Sequence, residues 1–336
     1  MTTRSFLTMH APDGGLLQSD EWARLQAVSD HRSFPFAGEG FEGMAFQYVL
    51  PLLGNYLFIP RGPIAEESRI KNQESNIRKE ILRVAEQCRA HWIRVEPQTE
   101  EILNCLKKSF GEANVVSSPR DINPRETFMV SLEGTPDDWL SRMKSKTRYN
   151  VRLAEKHGVV IRFSRAAEDI ERFIDLIYAT TNRKAIAPHP KDYYRNFFTA
   201  LPEEMCTIAL AEHGGQVIAA SLLVFFNETA SYLHGGSADT KRELMAPFLL
   251  HFKVMEEALR RGCTRYDFGG VRIRSKQGDD SSWDGITRFK QGFDPKAETL
   301  LFPGTYDIIV SPVRYAFYRY LQQLAGLRRY IRRLLK

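Results

Sequence analysis

The order of apolar and polar positions divides the chain into strand-like and helix-like segments. Alternating and β-branched runs predict strands over 44–53, 56–59, 92–95, 127–132, 159–163, 206–212, 217–226, 229–234, 265–268, 299–302 and 306–310. Apolar residues at helical spacing predict helices over 18–29, 75–91, 99–110, 170–181 and 243–261. Strands, a long helix and further strands occur twice, which predicts an α+β protein built from two domains of similar plan.

A short basic segment separates the two halves of this pattern. Its cations are Lys144, Lys146, Arg148, Arg152 and Lys156, against a single acid, Glu155. Val151 and Leu153 are too few for a strong apolar stripe, so the segment is predicted to be a short helix with a solvated, cationic face. Such a charge density favours a polyanionic partner, although composition alone also allows a plain linker helix.

Composition narrows the class of protein. A chain of 336 residues with 43% apolar content has the length of about two folded domains. The four cysteines form no Cys-x-x-Cys pair and the eight histidines no ligand-like spacing, which argues against a metal site or a disulfide framework and fits a reducing cytosol. The sequence shows neither a secretion signal nor an apolar run long enough to span a bilayer.

The positive net charge of +6 comes from the C-terminal segment. Residues 311–336 carry seven basic residues and no acidic one, and the remainder holds 40 basic against 41 acidic residues. Leucine, isoleucine and tyrosine recur there at helical spacing, from Leu324 to Leu335, with arginines on the flanks. A basic amphipathic helix of this kind suits a membrane surface or nucleic-acid phosphates, and packing of its apolar stripe on the protein body is the alternative.

The second half has the element order of the GNAT acyltransferases: a meander, a long helix, a strand and a terminal pair. Acetyl-CoA enzymes hold pyrophosphate on backbone N–H groups in a glycine-containing turn that opens the long helix. Met245 and Pro247 stand where those glycines belong, and proline has no N–H to donate. We therefore expect no coenzyme A and no other cofactor, and an acyl donor of another kind.

Six motifs follow one another between residue 17 and about residue 310. They are LQSxxW at 17–22, IPRGP at 59–63, IRVEP at 93–97, LHGGS at 233–237 with RxLMAP at 242–247, YDFGG at 266–270 and GITRFKQGF at 285–293. With the junction KxRYNVRxAxKxG at 146–158, this order resembles the Fem family (FemABX), the non-ribosomal peptidyltransferases that build peptidoglycan cross-bridges from aminoacyl-tRNA. No charged helical pair corresponds to the coiled-coil arm of some members, so the chain resembles the short type.

The resemblance implies a fold of two tandem GNAT-like domains. We expect the first over 1–143, with the C-terminal helix 311–336 packing on it, and the second over 144–310. The implied reaction moves Gly, Ser or Ala from aminoacyl-tRNA to the stem peptide of UDP-MurNAc-pentapeptide or lipid II. The protein is expected to be a cytoplasmic monomer, with peripheral contact to the inner face of the membrane through 311–336.

The resemblance also implies catalytic roles. Lys290 corresponds to the lysine that stabilises the oxyanion and touches the donor ester, where a fixed cation contributes several kcal/mol. A carboxylate could take the proton of the attacking amine, and Glu96 and Asp267 are the candidates. The residues themselves leave alternatives open, since Lys290 could be a surface lysine at a helix end and both acids could be capping or structural.

Substrate contacts are implied on both halves of the chain. Arg183 corresponds to the arginine that binds the precursor diphosphate, although a C-terminal helix arginine can also simply interact with the helix dipole. A second family cation falls at or near Gln26, which can hydrogen-bond a phosphate but not neutralise it, so Arg61 or Arg32 could replace it. Aromatic side chains that could line the acceptor cleft, or pack in the core, are Tyr193, Tyr194, Tyr232 and Phe289. The junction cations Lys144, Lys146, Arg148, Arg152 and Lys156 would meet tRNA phosphates.

Two other functions compete with this one. The chain could be a GNAT-like enzyme with a different amine or lipid acceptor, and intact motifs in both halves argue against that. It could also be a non-catalytic RNA-binding or membrane-binding module with a GNAT-like core, and the FKQGF run at 289–293 argues against that.

Overall fold

The computed structural model describes residues 4–183, 187–272, 282–297 and 299–334, without the side chains of Ser282 and of 325–334. In chain order the strands are β1 Ser33–Gly38, β2 Phe41–Leu50, β3 Gly54–Ile59, β4 Ile64–Ala65, β5 Ala90–Val95, β6 Val115–Ser117, β7 Glu126–Ser131, β8 Val160–Ser164, β9 Cys206–His213, β10 Gln216–Phe226, β11 Thr229–Ser237, β12 Arg265–Val271, β13 Thr299–Leu301 and β14 Tyr306–Ile309. The helices are α1 Arg4–His10, α2 Asp20–Ala27, α3 Glu67–Ile70, α4 Glu74–Gln87, α5 Glu100–Phe110, α6 Pro136–Arg142, α7 Ser145–Lys156, α8 Ala167–Arg183, α9 Lys191–Ala200, α10 Ala246–Arg260, α11 Ser282–Lys290 and α12 Pro312–Leu334.

The first compact unit comprises residues 4–11, 17–123 and 302–334. Its strands follow the order β1-β2-β3-β5-β14-β6, with β4 beside β2. β3 and β5 pair in parallel, because α4 lies between them in the chain and provides the crossover that a parallel pair requires. Ile77, Ile81 and Val84 of α4 pack on Ile93 of β5 and form the centre of this unit's core.

The second unit comprises residues 12–16 and the described part of 124–301. Its strands follow the order β13-β7-β12-β11-β10-β9-β8. The hairpin between β9 and β10 turns at Gly214 and Gly215, which both have positive φ, as the sequence predicts. α10 lies between β11 and β12 in the chain, and these two strands pair in parallel. The predicted α+β class with two sheets of similar plan is confirmed.

The expected domain boundary at 143/144 differs from this division of the chain. β7 pairs with β12 and β13, so residues 124–143 belong to the second unit. β14 pairs with β5 and β6, so residues 302–310 belong to the first unit. The alternation of a strand shows which face is buried but not which neighbour it pairs with, and the sequence pattern therefore assigned both strands to the wrong half.

α12 packs on the first unit through its N-terminal part. Tyr315 and Tyr318 are buried and form a cluster with Trp92 of β5 and Leu53. The predicted tail stripe beyond Leu324, and the arginines at 328–333, lie outside the described side chains. Among the residues that the structure describes, no helix combines the length and the apolar character needed to cross a bilayer.

Candidate active site

A cavity of about 700 Å³ opens in the second unit where β11 and β12 part. The two strands pair only from Thr229 to Ser231 and from Arg265 to Asp267, and the segments that follow diverge. Residues 232–238, which are the end of β11 and the residue after it, form one part of the wall. Residues 218–221 of β10, the start of α10, and residues of α8 and α11 form the rest. Tyr232, Phe289 and Lys290, which the sequence predicts as site residues, all line this cavity.

Lys290 is the last residue of α11, and its side chain is buried rather than solvated. It is 7% exposed, and its Nζ donates a hydrogen bond of 2.7 Å to the Gly270 carbonyl. The Nζ also lies 5.8 Å from the centre of the Tyr232 ring. A lysine held in this way presents its charge to the cavity from a fixed position, which is the property that oxyanion stabilisation requires.

Asp267 shapes the backbone that receives Lys290. Its carboxylate accepts hydrogen bonds from the Thr127 hydroxyl and, at 2.7 Å, from the Gly269 N–H. These bonds hold the irregular part of β12, where Gly269 has φ +74° and the pairing with β7 shifts before Gly270. Asp267 is not among the residues that line the cavity, and its bond to the Gly269 N–H holds the backbone one residue before Gly270.

Two histidines line the cavity beside the lysine. The Nδ1 of His251, on α10, lies 2.8 Å from the Tyr266 hydroxyl, and burial together with the charge of Lys290 lowers the pKa of His251 to about 3. The Nε2 of His234, on β11, lies 3.1 Å from the Tyr193 hydroxyl, and burial and His189 lower the pKa of His234 to about 4. Both rings are therefore neutral at pH 7. In the sequence, His251 stands out as a polar residue within the apolar run 249–252. Nothing in the sequence indicates that the His234 ring is neutral.

These buried histidines predict a pH-dependent stability. In the unfolded chain each pKa returns to about 6.5, so the unfolded state binds more protons. Their contribution is complete above pH 6.5 and is lost as pH falls toward 4, by up to about 1.4 kcal/mol per pH unit for each histidine. Urea unfolding at pH 7 and pH 5 measures this slope. We expect H251Q to reduce it and H157Q, at an exposed histidine, to leave it unchanged; equal slopes in both variants would contradict the assignment.

Arg183 ends α8 beside the cavity rim. Its Nη1 and Nη2 donate to the Ser237 carbonyl at 3.5 and 3.4 Å, and Nη1 lies 3.5 Å from Asp239. Ser237 lines the cavity, so the guanidinium is within reach of an anionic group at its mouth. Tyr194 is instead buried against Phe173 and accepts a hydrogen bond from the His189 N–H at 3.3 Å, so it does not line the cavity.

Gly236 of β11 lets α8 lie directly on the strand. A Cβ added at Gly236 would come within 2.6 Å of the carbonyl group of Leu176 in α8, and backbone cannot move aside as a side chain can. We expect Gly236→Ala to cost about 1–3 kcal/mol of unfolding free energy and to lower activity, because it moves the α8 wall of the cavity.

Thermal and urea unfolding measure this cost, and Gly285→Ala is the matched control. A Cβ at Gly285 on α11 meets nothing within 4 Å, so that change is expected to be neutral or to stabilise by up to about 1 kcal/mol. Equal stability of the two variants would show that α8 does not rest on Gly236.

The three predicted site residues of the first unit have structural partners. Glu96 is buried and accepts hydrogen bonds from the Asn123 N–H (2.8 Å) and Nδ2 (2.6 Å) and from the Thr305 hydroxyl (3.1 Å). The buried Arg61 guanidinium stacks 3.4 Å from the centre of the Phe302 ring, and the buried Gln26 accepts from the Tyr48 hydroxyl at 3.2 Å.

The basic junction forms α7 and its preceding residue in the second unit. Lys144, Lys146, Arg152 and Lys156 are exposed, and Thr147, Asn150, Val151 and Ala154 form the buried face. Arg148 is also predicted to contact phosphate. In the structure its Nη1 instead donates to the Leu140 carbonyl at 3.1 Å and to two further carbonyls at the end of α6. The Lys144 N–H donates to the Gly292 carbonyl at 2.9 Å, which joins α7 to the turn after Lys290.

The start of α10 lacks the features of a coenzyme A cradle. Met245 caps the helix with φ +53°, Pro247 lies in the first turn, and the Phe248 N–H is already bonded to the Met245 carbonyl at 2.9 Å. Few backbone donors are left there for a pyrophosphate.

Two sheets of similar plan, the parting of β11 and β12 and the buried Lys290 are the features of an acyltransferase of tandem GNAT-like design. The sequence model of the FemAB family matches residues 112–214 and 207–323, and the chain belongs to that family. It is 23% identical to the lipid II:glycine glycyltransferases of Staphylococcus saprophyticus subsp. saprophyticus and Staphylococcus aureus, across 85% of this chain and 86% of each relative. The crystal structure of FemX superposes with a TM-score of 0.79 at 20% identity, covering 94% of this chain and 96% of FemX. The predicted family is therefore confirmed.

Proposed function

We propose that this protein transfers an amino acid from aminoacyl-tRNA to an amine of the stem peptide of lipid II. We expect that amino acid to be glycine. The observation that carries the proposal is the buried Lys290 at the cavity of a FemAB-family chain whose curated relatives are named for glycine and lipid II. Ser and Ala as the residue transferred, and UDP-MurNAc-pentapeptide as the acceptor, are the other outcomes that the experiment below distinguishes.

The proposed chemistry joins an amine to an activated ester. The neutral amine attacks the carbonyl carbon, the carbonyl oxygen becomes an oxyanion, and collapse breaks the bond to the tRNA ribose oxygen. The amine loses one proton and the ribose oxygen gains one, so no cofactor is needed. In this proposal the Lys290 ammonium stabilises the oxyanion beside the ring of Tyr232. Asp267 and Glu96 act by holding backbone, because their carboxylate oxygens already accept hydrogen bonds.

Charge at the surface supports the proposed substrates. The exposed cations Lys144, Lys146, Arg152 and Lys156 would meet tRNA phosphates next to the turn that follows Lys290, which adds affinity without reading sequence. The guanidinium of Arg183 at the cavity rim would hold the diphosphate of the acceptor. A cytoplasmic location agrees with the four cysteines of the chain, which are all free and buried.

Transfer of radiolabelled amino acid from a mixed pool of charged tRNA tests the proposal. UDP-MurNAc-pentapeptide and lipid II serve as acceptors in separate reactions, and we expect labelled glycine on lipid II. Label on neither acceptor, from folded protein that still binds tRNA, would contradict the proposal.

A further inference from the structure

α12 carries an apolar stripe on the face opposite the one that packs on the protein. Tyr315 and Tyr318 point into the first unit's core, whereas Val313 is 81% exposed. The other members of the exposed stripe are Phe317, Tyr320 and Leu324. Steps of four, three and four residues place all four side chains on one side of the helix. The sequence continues apolar residues at this spacing with Leu327, Ile331 and Leu334.

Two more apolar side chains are exposed on the β2–β3 hairpin, next to the start of α12. Leu52 is 86% exposed and Val49 is also exposed, although hairpin tips favour polar residues. The Nη1 of Arg314 donates to the Leu52 carbonyl at 3.4 Å, so the tip adjoins the first turn of α12. We call Val49, Leu52, Val313, Phe317, Tyr320 and Leu324 the C-terminal patch.

Charge decides which partner fits this patch. Residues 311–336 carry seven basic residues and no acidic one, so two copies packed stripe to stripe would bring like charges together. A nucleic acid would satisfy the arginines but leave the apolar side chains without a partner. An anionic bilayer satisfies both, since the acyl boundary takes the apolar stripe and the headgroups attract the cations.

We propose that the C-terminal patch docks on a bilayer of anionic phospholipids, with α12 lying in the plane of the interface. Docking brings the first unit to the surface that holds a lipid-linked acceptor, and this consequence alone rests on the proposed function. A protein docked in this way would favour lipid II in vesicles over a soluble precursor with the same stem peptide.

Sedimentation of the full chain with phosphatidylglycerol–phosphatidylcholine vesicles tests the proposal without donor or acceptor. We expect binding that falls with salt and is weak on pure phosphatidylcholine. Leu52→Ser/Phe317→Ser is expected to lower the partition coefficient at least about tenfold, because two large apolar side chains no longer enter the interface. Ile122→Ser is the matched control, because Ile122 is exposed and its N–H donates to Thr305, at the opposite end of the sheet from the hairpin tip. It is expected to change binding less than about twofold.

Three results would overturn the proposal. The first is equal vesicle binding by the double variant and the wild type. The second is a loss of tRNA affinity in the double variant with vesicle binding intact, which would assign the patch to RNA. The third is a wild type that sediments as a dimer while the double variant sediments as a monomer, which would assign the patch to a second copy. Because the assay needs no catalysis, its failure is distinct from failure of the proposed transferase activity.

Discussion

Replacing Lys290 by methionine is expected to lower the rate of amino acid transfer by about 10²-fold or more, since one fixed donor to an oxyanion contributes about that much. Methionine matches the length of most of the lysine side chain and removes the charge and the bond to the Gly270 carbonyl. The loss should appear in kcat with little change in KM, because the oxyanion forms only after the amine attacks and is absent from the bound substrates. Single-turnover transfer with saturating donor and acceptor measures it.

Lys296→Met is the matched control for this variant. Lys296 is exposed and follows Lys290 by six residues, so the same chemical change there leaves the cavity intact. Its transfer rate should equal that of the wild type. Circular dichroism and thermal unfolding show whether Lys290→Met is folded; a folded Lys290→Met protein with undiminished kcat would remove Lys290 from the mechanism.

Asp307→Ala is expected to give the largest loss of stability, about 3–5 kcal/mol, because it leaves a buried guanidinium without its counter-ion. Asp307 is fully buried, and its carboxylate accepts from the Arg94 Nε at 2.8 Å and Nη2 at 2.9 Å. The Tyr315 hydroxyl donates to the same carboxylate at 2.9 Å, and Arg94 also donates to the Tyr318 hydroxyl at 2.9 Å. Burial alone would lower the pKa of Arg94, but the bonds to Asp307 outweigh it and hold that pKa above its ordinary value.

The midpoint of urea unfolding measures this loss, and Glu39→Ala is the control. Glu39 lies 3.8 Å from Arg69 in the same unit with 74% of its side chain exposed, and exposed pairs contribute about 0–1 kcal/mol. Because Tyr315 and Tyr318 anchor α12 through this network, limited proteolysis should also cut α12 earlier in Asp307→Ala. Equal unfolding midpoints in the two variants would show that the network does not stabilise the first unit.

Most long elements could be predicted from the sequence. The helix predicted over 243–261 is α10, Ala246–Arg260, and the strand predicted over 217–226 is β10, Gln216–Phe226. Their apolar patterns are long and glycine or proline marks their ends, so the local sequence is enough to predict both elements. β6 has only three residues, too few for a period to emerge, and β1 contains Pro35, which cannot donate to a strand ladder and argues against a strand.

Strand partners and side-chain partners could not be predicted in the same way. β7 and β14 show ordinary alternation, yet each belongs to the sheet of the other half of the chain, because pairing is set by contacts distant in sequence. Arg148 has the same charge as Lys146, but only its guanidinium reaches the carbonyls that end α6. Residue type predicts what a side chain can do, and the fold decides which partner it meets.

The candidate site was predictable where a motif carried it. Phe289 and Lys290 of the GITRFKQGF motif line one cavity together with Tyr232, which directly precedes the LHGGS motif. Tyr194 lies in the core. His234 belongs to the LHGGS motif, which assigns it no role, and His251 belongs to none of the six motifs. Burial lowers the pKa of both histidines, aided by His189 at His234 and by the charge of Lys290 at His251, and these are properties of the folded protein alone.

The most direct test of the central claim is single-turnover transfer of labelled glycine from purified glycyl-tRNA to lipid II in vesicles. Wild type and Lys290→Met should be run side by side. The account predicts labelled lipid II and free tRNA in equal amounts from the wild type, and a rate slower by about 10²-fold or more in the variant. Hydrolysis of glycyl-tRNA without label on lipid II, or equal rates from both folded proteins, would contradict it.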